Sequence, residues 1–321
     1  MAKTAYLYDR LFMDHDTGWG HPEKPDRLPA IDERLKKEPF YTELVRIAPR
    51  KAASEHLELI HDRGYIERVR DEIAGGAHYL DSGDTVVCRK SFEVALYAAG
   101  GGLAMCDAVM TDAAACGFCA VRPPGHHAER DQALGFCIFN NIAIAARYLQ
   151  REHGVSRVAI VDWDVHHGNG SQHSFDDDDT VLYVSTHQYP HYPGTGAARE
   201  TGTGTGKGYT LNLPMNPGAG VDIFRAAFVE RIVPALDEFR PEVVLISAGF
   251  DAHLSDMLSS IKLTAESFHE FTNMLLGVAD RHAQGRIIAF LEGGYDLTAL
   301  GESVARMMRA FVEAEPYGSK E

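Results

Sequence analysis

The 321-residue chain carries 31 Lys plus Arg against 46 Asp plus Glu, a formal net charge of −15, and 45% of its residues are hydrophobic. That apolar share can close one large or two modest cores and excludes collagen, a coiled coil and wholesale disorder. The acidic balance opposes binding of nucleic acid, whose affinity rests on phosphate neutralisation, and suits a cationic substrate better.

The N-terminal MAKTAYLYDR lacks the apolar stretch of a signal peptide, and no run approaches the roughly 18 consecutive apolar residues of a spanning helix. A cytoplasmic protein without a membrane partner is expected. Residues 9–28 read as an irregular segment of the kind that rims an active site. Five scattered cysteines make no disulfide scaffold, and the Cys116/Cys119 pair runs into the extended CAVRPPG without a second CxxC, so ordinary thiols are expected.

Further along, helical stretches at 140–152, 222–239, 264–282 and 298–313 alternate with strands at 157–161 (RVAIV), 181–185 (VLYVS), 209–213 (YTLNL), 243–247 (VVLIS) and 286–291 (RIIAFL). The aspartates at 176–179 read as a solvated turn. Residues 187–208 are a second irregular rim segment, ending in TGTGTGKG. That run lacks the four-residue gap before GK and the following Ser or Thr of a phosphate loop, and reads as a mobile glycine loop. Apolar strands flanked by amphipathic helices imply an α/β fold with a mostly parallel sheet covered on both faces. No Pro/Gly-rich linker divides the chain.

The chemistry gathers at strand ends. In IVDWDVHHGNG, residues 160–170, an apolar strand runs into Asp162, Asp164 and His166, which point to one side if the backbone stays extended. Two buried carboxylates so close repel unless a cation sits between them; a hydrogen-bonded polar turn is the other way to seat them. After the strand at 243–247, SAGFD delivers Asp251 to the carboxyl edge of the sheet, as a ligand or as a helix cap. Asp164, His166 and Asp251 would make an O, N, O set with positions left for water and substrate, the pattern of a catalytic zinc site.

RPPGHHAE, residues 122–129, places His126 and His127 after a tight turn. Beside a metal they would serve as acid and base, with Asp162 and Asn169 available to their other ring nitrogens; otherwise they are surface histidines. In EGGYDL, residues 292–297, Gly293 and Gly294 let backbone approach a ligand, and Tyr295 either donates to an oxyanion or packs.

GHPEKPDRL (20–28), RPPGHHAE, GFCIFNNIAIAAR (135–147), VDWDVHHGNG, SAGFDAH (247–253) and LEGGYDL (291–297) together resemble the zinc-dependent histone deacetylase family, in particular its class II and bacterial amidohydrolase members. The resemblance runs in order from about residue 15 to about 310. It implies one catalytic domain over 1–321 with the arginase/deacetylase fold, a mostly parallel sheet of about eight strands flanked by helices on both faces. It implies zinc ligands Asp164, His166 and Asp251, with iron able to replace zinc. His126 would be the inner histidine bonded to Asp162, His127 the general base and acid beside Asn169, and Tyr295 the oxyanion donor. Potassium is implied as a second ion, held by Asp162, Asp164, His166, Ser185 and Thr186, in part through backbone.

By the same resemblance Phe136 and Tyr192 form the walls of an acyl-lysine tunnel, the second being phenylalanine in most members, and Gly293 and Gly294 border it. Asp84 in SGDTVV matches a rim position that grips the substrate backbone in peptide deacetylases. Polyamine-selective members carry a glutamate where this chain has Leu258, which favours lysine over a second ammonium. The expected reaction is removal of acetyl or another short acyl group from the Nε-amine of lysine or a similar primary amine. An acetylpolyamine amidohydrolase is the alternative, and a non-catalytic acyl-lysine binding module the remote one. An arginase-like manganese hydrolase would want a dinuclear, carboxylate-rich site instead of the HH pair with GGY. A homo-oligomer in which residues 11–28 reach a neighbouring site is compatible with the sequence.

Overall fold

A computed structural model describes residues 3–81, 83–315 and 317. Strands buried along their whole length, such as VAIVD and IIAFL, need cover on both faces, and that requirement organises the molecule. In chain order the strands are β1 Thr4–Tyr8, β2 Val45–Ile47, β3 Tyr79–Leu80, β4 Thr85–Val86, β5 Cys116–Ala120, β6 Val158–Asp162, β7 Val181–Gln188, β8 Thr210–Met215, β9 Val243–Ala248 and β10 Ile287–Leu291. Eight of them form one parallel sheet in the order β2-β1-β5-β10-β9-β6-β7-β8, while β3 and β4 pair separately as an antiparallel hairpin.

The helices are α1 Arg27–Leu35, α2 Ser54–Leu57, α3 Arg63–Ala74, α4 Ser91–Met110, α5 Asn141–His153, α6 Asn169–His173, α7 Val221–Ala227, α8 Val233–Phe239, α9 Ala265–His282 and α10 Leu297–Glu313. One face of the sheet is covered by α4 and α5, the other by α9 and α10, with α1 and α8 packed outside them. Helix α4 is long and apolar enough to cross a membrane by composition, contrary to the expectation that no segment is, but 67% of its most apolar window is buried inside the protein. Its Gly100 lets it lie close against the backbone at Arg50–Ala52, and Gly101 and Gly102 against the side chains of Leu7 and Phe290.

Two sequence expectations change, the single helix at 222–239 and the mobile glycine loop, while the ordinary thiols at Cys116 and Cys119 stand. The helix expected at 222–239 is two α-helices joined by a π turn at Phe228–Ile232, just before Pro234, which has no N–H to continue an i→i−4 ladder. The CGFC pair is strand β5 itself, and both thiols are free and buried; burial pushes the Cys116 thiol up to about 12. The aspartate run and the glycine loop are bound to each other. Thr203 N donates to Asp176 O (2.6 Å), Thr205 Oγ1 donates to Asp177 O (2.5 Å), and a side chain at Gly202 or Gly206 would collide with this backbone. Glycine serves close packing there, and Asp178 pairs with Arg147 and caps Thr180.

Candidate active site

Strands β5, β10, β9 and β6 are neighbours, and their carboxyl ends feed four loops into one place. Strand β6 ends at Asp162, where the chain leaves extended geometry. Asp162 Oδ1 then accepts from Asp164 N (3.1 Å) and Asp164 Oδ1 from His166 N (2.8 Å). These two side-chain turns, and not strand alternation, aim Asp164 and His166, so the period-two expectation fails beyond Asp162.

Asp251, in the loop after β9, accepts from Val165 N through Oδ1 (2.9 Å), and Asp164 Oδ2 accepts from Gly293 N (2.8 Å). The remaining oxygens, Asp164 Oδ1 and Asp251 Oδ2, each lie 3.1 Å from His166 Nδ1. One ligand atom from each of the three residues falls within 4.8 Å of the others. A single imidazole nitrogen can donate to only one carboxylate at a time. Burial, reinforced by the charge of Asp164, pushes the Asp251 carboxyl up to about 7. Burial opposes a proton on His166, but its bonds to Asp164 and Asp251 outweigh that and raise it to about 10. A divalent cation fits this donor set, because it would displace the His166 proton and neutralise both carboxylates.

The two histidines leave β5 through Arg122-Pro-Pro-Gly. His126 Nδ1 lies 3.0 Å from Asp162 Oδ2, which also accepts from Tyr183 OH (3.2 Å). Burial disfavours the His126 cation, yet Asp162 and Asp164 raise it to about 10. His127 Nδ1 lies 2.7 Å from Asn169 Oδ1. Burial, with the charges of His126 and His166, holds His127 well below the usual histidine range. The face of His127 is covered by Gly135, where a side chain would overlap the ring. The next residue, Phe136, adopts φ 70°, a rare backbone for an aromatic, and lines the cavity.

Tyr295 is held from three sides. Its N–H donates to Asp256 Oδ2 (2.7 Å), its ring meets Phe136 edge-on at 6.1 Å, and the Arg27 guanidinium lies 5.2 Å from its centroid. Arg27 also donates to the carbonyls of Glu292 (2.5 Å) and Gly294 (2.7 Å), bracketing the glycine turn. Its counter-charge is Glu23, which also takes the paired nitrogens of Arg122; burial would raise the Glu23 carboxyl, but Arg122 and Arg27 hold it well below the carboxylate range. Within residues 9–28, Glu23 and Arg27 are thus tied into the site and His21 packs on Phe136 at 4.8 Å, while Trp19 stands fully exposed.

Asp84, His127, Phe136, His166, His191, Tyr192, Leu258 and Tyr295 surround a cavity of about 310 Å³. Gly293 and Gly294 do not border it. Gly293 lies against the Asp164 and Asp251 carboxylates and Gly294 against Phe250 and Leu300, because the turn is drawn inward by Arg27. Tyr192 OH donates to Asp84 Oδ2 (2.7 Å), a bond that phenylalanine could not make. Of the positions assigned to potassium, Asp162 and Ser185 are register partners on β6 and β7, all five residues are buried, and the Thr186 hydroxyl has no hydrogen-bond partner among the described residues.

Sequence reasoning missed several contributors. His191 stacks on His166 at 5.0 Å and bonds through Nε2 to Leu258 O (2.9 Å); it stood beside Tyr192 in YPHYPGTG. Asp256 accepts from Leu258 N (3.0 Å) as well as Tyr295 N, joining the cavity mouth to the phenol. Glu292 accepts from Gly125 N (2.7 Å) and His126 N (3.2 Å) and so holds the histidine turn.

Burial, together with Asp162 and Asp164, pushes Glu292 up to about 7. A carboxyl raised on folding contributes stability that is whole below its unfolded value near 4.5 and is lost as pH rises through about 7. Accordingly, the melting temperature of metal-free Glu292→Gln minus that of the metal-free parent is expected to grow between pH 4.5 and 8. A flat difference would remove this assignment.

A family model described as a histone deacetylase domain matches residues 21–311. The chain is 35% identical over 346 residues to a histone deacetylase-like amidohydrolase of Pseudomonas aeruginosa, covering 98% of this chain and 90% of that protein. It is 41% identical over 324 residues to the polyamine deacetylase HDAC10 of Homo sapiens, covering 96% of this chain and 48% of that protein. Among solved structures, the HD domain of HDA15 is similar with a TM-score of 0.92 and 36% identity, over 98% of this chain and 90% of that one.

Proposed function

Because the chain belongs to the histone deacetylase family, with its arginase/deacetylase fold and deacetylase activity, we propose that it hydrolyses the amide of an acylated primary amine, with Nε-acetyllysine the preferred class. The observation that carries this reading is the convergence of Asp164, His166 and Asp251 with His127 and Tyr295 at one cavity. A zinc ion held by Asp164, His166 and Asp251, replaceable by iron, would supply Lewis acidity, polarising the acyl carbonyl and lowering the pKa of a water.

His127, with Nδ1 engaged by Asn169, presents Nε2 as the base that takes the proton of the attacking water. Tyr295 donates its phenol hydrogen to the oxygen that develops charge. His126, kept cationic by Asp162, adds positive charge beside the reacting centre. The proton gained by His127 passes to the departing nitrogen, and a carboxylate and a free amine result. Potassium at Asp162, Asp164, His166, Ser185 and Thr186 would act structurally, neutralising the carboxylates behind the histidines.

Substrate choice follows from the mouth. Leu258 offers no countercharge to a second ammonium, and Phe136 with Tyr192 accepts an alkyl stem. Asp84 at the same mouth would grip the backbone of a peptide, whereas the net charge of −15 supports the second reading, an acetylpolyamine amidohydrolase. The test is acetate release from an Nε-acetyllysine peptide against N-acetylputrescine and N8-acetylspermidine. A kcat/KM at least tenfold higher for the peptide, about 1.4 kcal/mol in transition-state binding, is expected. Leu258→Glu is expected to shift that ratio tenfold or more toward the polyamines. Faster polyamine turnover by the parent chain would overturn the lysine reading, and an unchanged ratio in the variant would remove Leu258 from it.

A further inference from the structure

Helix α6 places Asn169 and His173 four residues apart, on one face, and Glu129 stands against both. Asn169 Nδ2 donates to Glu129 Oε1 and to His127 O (3.2 Å). Both acceptors are oxygens that can only accept while the carboxylate is ionised. The amide nitrogen must therefore face them, and Oδ1 must face His127 Nδ1, 2.7 Å away. With an acceptor opposite it, His127 Nδ1 carries the hydrogen and Nε2 keeps its lone pair for the cavity.

We propose that Glu129 is a positioning residue for this reaction: through Asn169 it selects the His127 tautomer whose Nε2 is unprotonated. An aspartate at position 169 would have two equivalent acceptor oxygens and would need no such partner. An asparagine has two unlike ends, and only one of them suits the base. Glu129 is itself pinned. His173 Nδ1 lies 2.9 and 3.1 Å from its two oxygens, its own N–H donates to Gln132 O (2.9 Å), and its carbonyl lies 2.8 Å from His61 Nδ1. The Glu129 side chain is 19% exposed, so the carboxylate is held between the surface imidazole of His173 and the buried amide.

The inference rests on the reading of His127 as base, and its test separates the two. In zinc-loaded protein, ¹⁵N spectra of the histidine rings report the tautomer without turnover. The parent is expected to show His127 protonated at Nδ1, and Glu129→Gln, which keeps size but adds a donor, to show a mixture. Glu129→Ala and Glu129→Gln are expected to lose roughly tenfold or more in kcat with KM within twofold, in line with the cost of loosened support around a reacting group. Asn169→Asp alone sets two carboxylates against each other and is expected to lower activity. Combined with Glu129→Gln it is expected to recover most of the parent kcat, a rescue that mere packing would not produce.

The proposal is overturned if the His127 tautomer is unchanged in Glu129→Gln, or if the double variant is no better than the product of the single losses. A parent that shows the Nδ1–H tautomer but releases no acetate overturns the proposed function and not this assignment.

Discussion

Asp251→Asn is expected to empty the protein of zinc and reduce acetate release to background. The asparagine keeps an acceptor for Val165 N–H but removes the charge that faces Asp164 across His166 Nδ1. Loss of an outer partner of a metal ligand costs roughly 10–100-fold in affinity, and loss of a charged ligand exceeds that. The same change has a second, opposite effect on the metal-free chain. Since burial and Asp164 raise the Asp251 carboxyl to about 7, at pH 8 it is ionised and bears the full penalty of its site. Metal-free Asp251→Asn should therefore melt above the metal-free parent at pH 8 and gain nothing from added zinc. Elemental analysis and thermal melts read both effects, and zinc content equal to that of the parent would rule Asp251 out as a ligand.

His127→Ala is expected to lower kcat/KM by about 10²–10⁴, the range contributed by a positioned proton-transfer group. His127 is outside the ligand set, so zinc content should stay at the parent level. Burial and the charge of the neighbouring His126, which hold its pKa low, also keep it neutral, and available as a base, through neutral pH. The measurement is steady-state kinetics with zinc content on the same samples. Activity within tenfold of the parent, alongside an inactive His126→Ala, would transfer the base to His126.

The strand ends were legible because each joins an apolar run to polar groups that a core strand does not tolerate without a partner. VAIVD running into Asp164 and His166, VVLISA into Asp251, and IIAFL into Glu292 and Tyr295 all carry that signature. By contrast, β1, β2 and β5 escaped. VRI has only three residues, three of the five in TAYLY are Thr or Tyr so that no aliphatic run marks it, and CGFCA draws the eye to its thiols, while Gly117 owes its place to Met105 packed from α4. The rim was partly legible. Phe136, Tyr192, Leu258 and Asp84 do meet at one mouth, whereas the inward pull of Arg27 removes Gly293 and Gly294 from it.

By itself the sequence determined the α/β class, the main strands of the parallel sheet and the residue types available for metal, proton transfer and oxyanion contact. These follow from local facts: side-chain periodicity, the cost of burying charge, and the order of motifs along the chain. Tertiary structure alone decided which of those groups meet and what holds them. Glu23 reaches Arg122 across 99 positions, Arg27 reaches Gly294 across 267, and Glu129 reaches Asn169 across 40. A hydrogen bond between residues so far apart leaves no mark in the spacing of either. It exists only because eight parallel strands bring their carboxyl ends to one edge, where burial makes every unpaired polar group costly enough to demand a partner.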